Sequence, residues 1–202
     1  MENNIYKSHV GQDKWVLDFF KNKKGFFIEA GAYDGVILSN TYALEQLGWN
    51  GICIEANPTH FNELIKNRKS LCFNYAVSNK TETCKFFPNG LCGHLSEDKG
   101  TIEIQKTTFV ELIPSTIAEV DYLSLDVEGH EIEALEGYPF HKIPPKLITI
   151  EHNSYCGGQV LKNKIYEFLI HKGYFRFKED ILLPKSKWLP NDSPFEDWYI
   201  RN

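Results

Sequence analysis

Four short apolar runs in this sequence each stop at a carboxylate. Phe26-Phe27-Ile28 runs into Glu29, Gly51-Ile52-Cys53-Ile54 into Glu55, Tyr122-Leu123-Ser124-Leu125 into Asp126, and Leu147-Ile148-Thr149-Ile150 into Glu151. Runs of this length without polar alternation are what strands buried on both faces require. Helical patterns lie between them: Trp15, Val16, Phe19 and Phe20 within residues 14–21, then Tyr42 to Leu47 behind a cap at Ser39 or Asn40. A third has Phe61, Leu64 and Ile65 behind Asn57, an N-cap, and Pro58, a proline at the first helical position. The alternation predicts an α/β chain with a mostly parallel sheet covered on both faces. Ligands bind such sheets outside the carboxyl ends of the strands, so the four acids are expected to line one crevice.

The remaining pattern completes the sheet. A third strand is expected over Leu71 to Val77, a helix over Glu131 to Glu136 after Gly129, and another over Val160 to His171. Two closing strands are expected near Tyr174 to Lys178 and Trp198 to Ile200. Residues 81–108 are polar, with β-like pieces at 85–87 and 102–104, and read as a hairpin-like excursion near the ligand face. Nothing in composition divides the 202 residues, which read as one domain, whether a whole protein or a part of a larger glycan-modifying one. The formal charge of −5 disfavours nucleic acid and anionic membranes as partners. With no 18-residue apolar run and no signal-like opening, the chain reads as soluble and without a membrane span. Five cysteines, an odd number with no Cys-x-x-Cys pair, suit a reducing, cytoplasmic compartment. Cys92 and His94 lack the second ligand pair of a structural zinc site.

The loop after the first strand, Glu29-Ala30-Gly31-Ala32-Tyr33-Asp34-Gly35, argues against a dinucleotide. It has two glycines where a pyrophosphate turn wants three, and Asp34 would repel a phosphate. Carboxylates suit a ligand with a ribose and a positive centre, as in S-adenosylmethionine. Glu55, 26 residues after Glu29, stands where an acid takes ribose hydroxyls.

Five ordered motifs carry a family resemblance: Ser8-His9-Val10-Gly11-Gln12-Asp13; Gly25 to Gly35; Ser39-Asn40-Thr41 with Gly48-Trp49-Asn50-Gly51; Ile54-Glu55-Ala56-Asn57-Pro58; and Leu125-Asp126-Val127-Glu128-Gly129-His130-Glu131. From about Ser8 to Asn153 the chain resembles the FkbM family of S-adenosylmethionine-dependent methyltransferases. The resemblance implies a class I methyltransferase (Rossmann-like) fold with a seven-stranded sheet flanked by helices. It also implies methyl transfer to a hydroxyl, often of a sugar in a glycan or glycoconjugate, a deoxysugar such as rhamnose among them. Carried onto this sequence, Glu29, Gly31, Asp34 and Gly35 would cradle the methionine end, Glu55 the ribose, and Ala76, Val77 and Ser78 the adenine edge. Ala32, Ser39, Asn40, Ala56, Asn57 and Asp126 would be further contacts in the cofactor site. The chain departs from the family at His9, where glutamine is expected, and at His130, where a small residue is expected.

Transfer to an alcohol needs a base, or a metal that lowers the hydroxyl pKa. Asp126, Glu128, His130 and His152 are the candidate catalytic groups. Asp126, Glu151 and Asn153 offer an oxygen-rich site for Mg²⁺ or Mn²⁺. His94 and Tyr155 are candidate contacts to a carbohydrate acceptor, and Tyr33, Tyr155, Trp188 and Trp198 could form a stacking surface. The competing readings are a nicotinamide-dependent sugar oxidoreductase or epimerase, and a non-catalytic S-adenosylmethionine-binding module.

Overall fold

The computed structural model describes residues 5–157, 159–185 and 191–202. Its strands are β1 (Phe26–Ala30), β2 (Asn50–Ile54), β3 (Leu71–Phe73), β4 (Ala76–Val77), β5 (Glu82–Phe87), β6 (His94–Leu95), β7 (Ile102–Thr107), β8 (Tyr122–Leu125), β9 (Leu147–Glu151), β10 (Tyr174–Leu183) and β11 (Ser193–Arg201). The helices are α1 (Gln12–Phe19), α2 (Tyr42–Gln46), α3 (Pro58–Asn67), α4 (Phe109–Leu112), α5 (Glu131–Glu136), α6 (Ser154–Gly157) and α7 (Gln159–His171).

Seven strands form one sheet in the order β10-β11-β9-β8-β1-β2-β3. The five from β9 to β3 are parallel, and β11 runs antiparallel between β9 and β10. Side chains alternate across the pleat, so neighbouring residues feed opposite cores. Phe27, Cys53, Tyr122 and Leu147 pack against Val16 and Leu17 of α1, Leu44 of α2 and Leu64 of α3. Ile28, Ile52, Leu123 and Ile148 pack on the other side with Phe109, Ala134, Ile165 and Leu169. Each such side chain contributes about 1.5–3 kcal/mol, which makes burial on both faces the main force holding the sheet.

Four expectations need correction. The strand expected over 71–77 is two strands, because Asn74 turns the chain: its amide donates to the Glu55 and Ala56 carbonyls at 2.8 and 3.1 Å. Val77 and Ala76 then open a second sheet, β4-β7-β5-β6, where the sequence suggested only a hairpin. That sheet has its own apolar centre of Ala76, Cys84, Phe86 and Ile104. The closing strands are also longer than expected, at ten and nine residues, with register shifts between Arg176 and Leu182. The opening helix starts two residues early, at Gln12, after the Asp13 carboxylate has taken the amides of Lys7, Ser8 and Lys14.

Asn57 caps α3 as expected, accepting from the Thr59 amide at 2.9 Å. Cys53 and Cys84 are buried and Cys72 partly so, free thiols in apolar surroundings. Among the described residues no helix is long and apolar enough to cross a membrane.

Candidate active site

A cavity opens at the carboxyl ends of the parallel strands, roofed by the second sheet and the turn at 90–93. Its walls come from the loop after β1, the ends of β2, β8 and β9, the strands β4 to β6, and residues 195 and 196 of β11. Six acids line it: Glu29, Glu55, Asp126, Glu128, Glu151 and Glu196. No Lys or Arg does so among the described residues.

The loop after β1 is held by glycine and by a buried ion pair. Gly31 has φ of +85°, and a Cβ there would lie 1.7 Å from the Asp126 carbonyl oxygen, so no larger residue lets β1 and β8 deliver their loops side by side. Glu29 is buried within β1, and its carboxylate accepts from the Asn40 amide at 2.7 Å and from the Thr41 and Ser39 hydroxyls. Arg68, fully buried, donates to the same carboxylate at 3.2 Å. Glu29 therefore acts as a strut for residues 39–41 rather than as a group held open for a ligand. Asn40 donates its amide to Ser124 at 2.9 Å, while its Oδ1 is buried in the cavity wall without a hydrogen-bond partner. An ammonium is the complement of such an acceptor.

Glu55 follows β2, and its two oxygens take the backbone amides of Tyr33 and Asn57 at 2.8 and 2.7 Å. Each oxygen keeps a further lone pair for a hydroxyl. Burial, together with the nearby Asp126, pushes the Glu55 carboxyl up to about 7. His60 of α3 stands beside it, 4.0 Å from Glu55 Oε1 and with its ring 4.2 Å from that of Tyr33. Gly31, Ala32, Ser39, Asn40, Ala56, Ala76 and Val77 also line the cavity. Four expected cofactor contacts do not: Asp34, Gly35, Asn57 and Ser78. Asp34 accepts the amides of Val36 and Ile37, Gly35 packs on Arg68 and Leu64, Asn57 caps α3, and Ser78 bonds His130.

At the ends of β8 and β9, one oxygen each from Asp126, Glu128 and Glu151 lies within 4.8 Å of the others. Glu128 has φ of +55° and Asn153 has +47°, an uncommon backbone for both, and the Asn153 amide donates to Glu128 at 3.3 Å. Glu128 thus joins Asp126 and Glu151, and Asn153 turns its amide nitrogen to Glu128. Burial, then Asp126 and Glu131, pushes Glu128 up to about 8. Burial and Asp126 raise Glu151 well above the usual carboxylate range. Glu131 accepts the Val127 and Gly129 amides from below, and burial pushes it to about 7.

The two histidines expected as bases stand elsewhere. His152 follows Glu151 in extended chain, so its side chain goes to the opposite side. It is buried away from the cavity, accepts the Ser154 amide at Nδ1, and lies 3.4 Å from Asp197 Oδ1. Arg176 and Lys162 complete that network. His130 does line the cavity, yet its Nε2 is 3.0 Å from the Ser78 hydroxyl and its Nδ1 3.6 Å from Glu133. This puts it beside residues 76–78, at the edge expected to take adenine.

Three cavity groups were missed or left without a role. His9 faces the acid group: burial lowers its pKa from 6.5, with Asp126 pulling the other way. Glu196 pairs in register with Glu151, holds the Gln12 amide at 3.1 Å and the Trp198 indole, and is pushed up to about 8 by burial. His60 needed only the helical spacing after Asn57 to be placed near Glu55. His94 and Tyr155 line the cavity as expected, and Tyr33 with them. Trp198 is buried under Trp15 and is not an open stacking face, and Trp188 lies outside the described residues.

The model of the methyltransferase FkbM domain matches residues 29–176. A search of curated protein sequences finds no match. Similar solved structures include the O-methyltransferase of Bacillus cereus in complex with S-adenosylhomocysteine, at a TM-score of 0.56 and 12% identity over 98% of this chain and 84% of that one. Another is precorrin-6y C5,15-methyltransferase of Geobacter metallireducens, at 0.52 and 11% over 100% and 94%. A third is the ribosomal protein L11 methylase of Lactobacillus delbrueckii subsp. bulgaricus, at 0.51 and 7% over 96% and 79%. At these identities the likeness shows the fold, the class I Rossmann-like methyltransferase architecture.

Proposed function

The chain belongs to the FkbM methyltransferase family and is an S-adenosylmethionine-dependent methyltransferase, and on that premise we propose that it methylates a hydroxyl of a neutral sugar in a glycan or glycoconjugate. The observation carrying the reading is the cavity wall: six acids and no Lys or Arg among its described residues. Phosphate-rich acceptors, nucleic acid included, are held chiefly by Lys and Arg side chains, which this wall lacks among its described residues. A polyol needs acceptors and donors, which the cavity-lining Glu128, His94 and Tyr155 would supply. Family membership sets aside the nicotinamide-dependent and non-catalytic alternatives.

Bound S-adenosylmethionine supplies an electrophilic methyl group on a positively charged sulfur. The chain has to hold it and take a proton from the acceptor. Glu55 would take the ribose hydroxyls, Asn40 Oδ1 the ammonium, and residues 76 and 77 the adenine edge. The Asp126 carboxylate would favour the positive charge of the sulfonium. His9, kept neutral by burial, is the general base for the acceptor hydroxyl. Incubation with isotope-labelled S-adenosylmethionine and a panel of neutral, rhamnose-bearing oligosaccharides tests the reading. Label recovered as an O-methyl ether on a sugar is expected; label on RNA or on protein, with none on sugar, would overturn it.

A further inference from the structure

We propose that Asp126, Glu128 and Glu151 form a site for a hard divalent cation, Mg²⁺ or Mn²⁺, at the floor of the cavity. The inference starts from a contrast among the buried acids. Glu29 and Glu45 are met by Arg68, Asp197 by Arg176, Glu196 by Gln12 and Trp198, Glu55 by a backbone amide on each oxygen, and Glu131 by two amides on Oε1, though its Oε2 is buried without a partner. The group at the ends of β8 and β9 has no such counterpart. Among the described residues no Lys or Arg comes within ion-pair distance of it, and one amide, that of Asn153, donates to Glu128. Glu151 is 7% exposed, and its Oε2 is buried with no hydrogen-bond partner. Leaving a carboxylate oxygen buried and unmet is costly, and chains satisfy such atoms with a donor, water or ion.

Geometry and ligand type fit a hard cation. Around an ion with oxygens at about 2.1 Å, ligand oxygens stand about 3 Å apart when adjacent and about 4.2 Å when opposite. The three oxygens here all lie within 4.8 Å of one another, so side-chain rotation can gather them around one ion. Three carboxylates without sulfur or imidazole select magnesium or manganese over zinc, and leave positions for water or an acceptor hydroxyl. The cation's use in catalysis rests on the methyl-transfer reading: the ion would make an acceptor hydroxyl more acidic, with His9 as the residue to take the proton.

The test is titration of EDTA-treated protein with Mn²⁺, followed by electron paramagnetic resonance of the free ion, in the wild type, Glu151→Gln and Glu128→Gln. One ion per chain is expected in the wild type, with binding weakened at least about tenfold in each variant. Glu128 is only partly buried, so its variant tests the site even if Glu151→Gln does not fold. No binding at about 1 mM Mn²⁺, or equal binding by wild type and folded variants, would overturn the proposal. S-adenosylhomocysteine binding is measured on the same samples. Its retention without Mn²⁺ binding sinks the cation site alone; Mn²⁺ binding without it supports the site and sinks the methyl-transfer reading.

Discussion

Replacing Glu55 by Gln probes the cofactor site at its best-defined point. The carboxylate already serves two backbone amides, Tyr33 at 2.8 Å and Asn57 at 2.7 Å, and in the account above each oxygen also accepts one ribose hydroxyl. Glutamine keeps one acceptor oxygen; its NH₂ confronts an amide donor and offers no lone pair to the second hydroxyl. A hydrogen bond to a charged group contributes about 1.5–3 kcal/mol, so losing one raises the dissociation constant of S-adenosylhomocysteine about 10- to 150-fold. The carboxyl is pushed up to about 7, and ribose hydroxyls favour its ionised form. Wild-type affinity therefore rises as pH goes from 6 to 8, and the variant lacks that component of the rise. Calorimetric titration at pH 6, 7 and 8, with thermal melts to confirm folding, measures both effects. A folded variant binding within about twofold of the wild type would refute Glu55 as the ribose acceptor.

Arg68→Ala leaves Glu29 and Glu45 buried without their cation, which costs about 3–5 kcal/mol and lowers the melting temperature by about 10 °C; a change under about 2 °C contradicts the strut role. Glu196 binds its proton more tightly folded than unfolded, rising from 4.5 to about 8, so its contribution to stability is full below pH 4.5 and is lost as pH rises through 8. The ceiling is about 5 kcal/mol, and Glu196→Gln is expected to reduce the stability lost between pH 5 and 9 by more than about 1 kcal/mol in urea unfolding. His9→Gln, which restores the family's usual residue type, is expected to slow turnover about 100-fold while leaving S-adenosylhomocysteine affinity unchanged. Wild-type turnover should fall as pH drops below 6.5, and this limb should vanish in the variant; identical profiles would remove His9 as the base.

The parallel core was legible because strands covered on both faces must be apolar throughout, and Phe27, Ile52, Leu123 and Ile148 have no other home. The acids were legible as the first ionisable residues along those runs, although Glu29 and Glu151 stay buried within β1 and β9. What was not legible depends on contacts between distant segments. The turn at Asn74 exists because its amide finds carbonyls of residues 55 and 56, and the second sheet pairs β4 with residues thirty positions on. Glu196 reaches the cavity through the register of β11 on β9, which no local pattern encodes. The error at His152 was avoidable: with Glu151 turned into the cavity, strand alternation sends the next side chain away.

A crystal structure with S-adenosylhomocysteine bound would test the central claim most directly. The account predicts ribose hydroxyls on Glu55, the amino group near Asn40, and the sulfur facing Asp126 and the acids of β8 and β9. A product whose sulfur lies away from those acids, or whose ribose leaves Glu55 uncontacted, would contradict it.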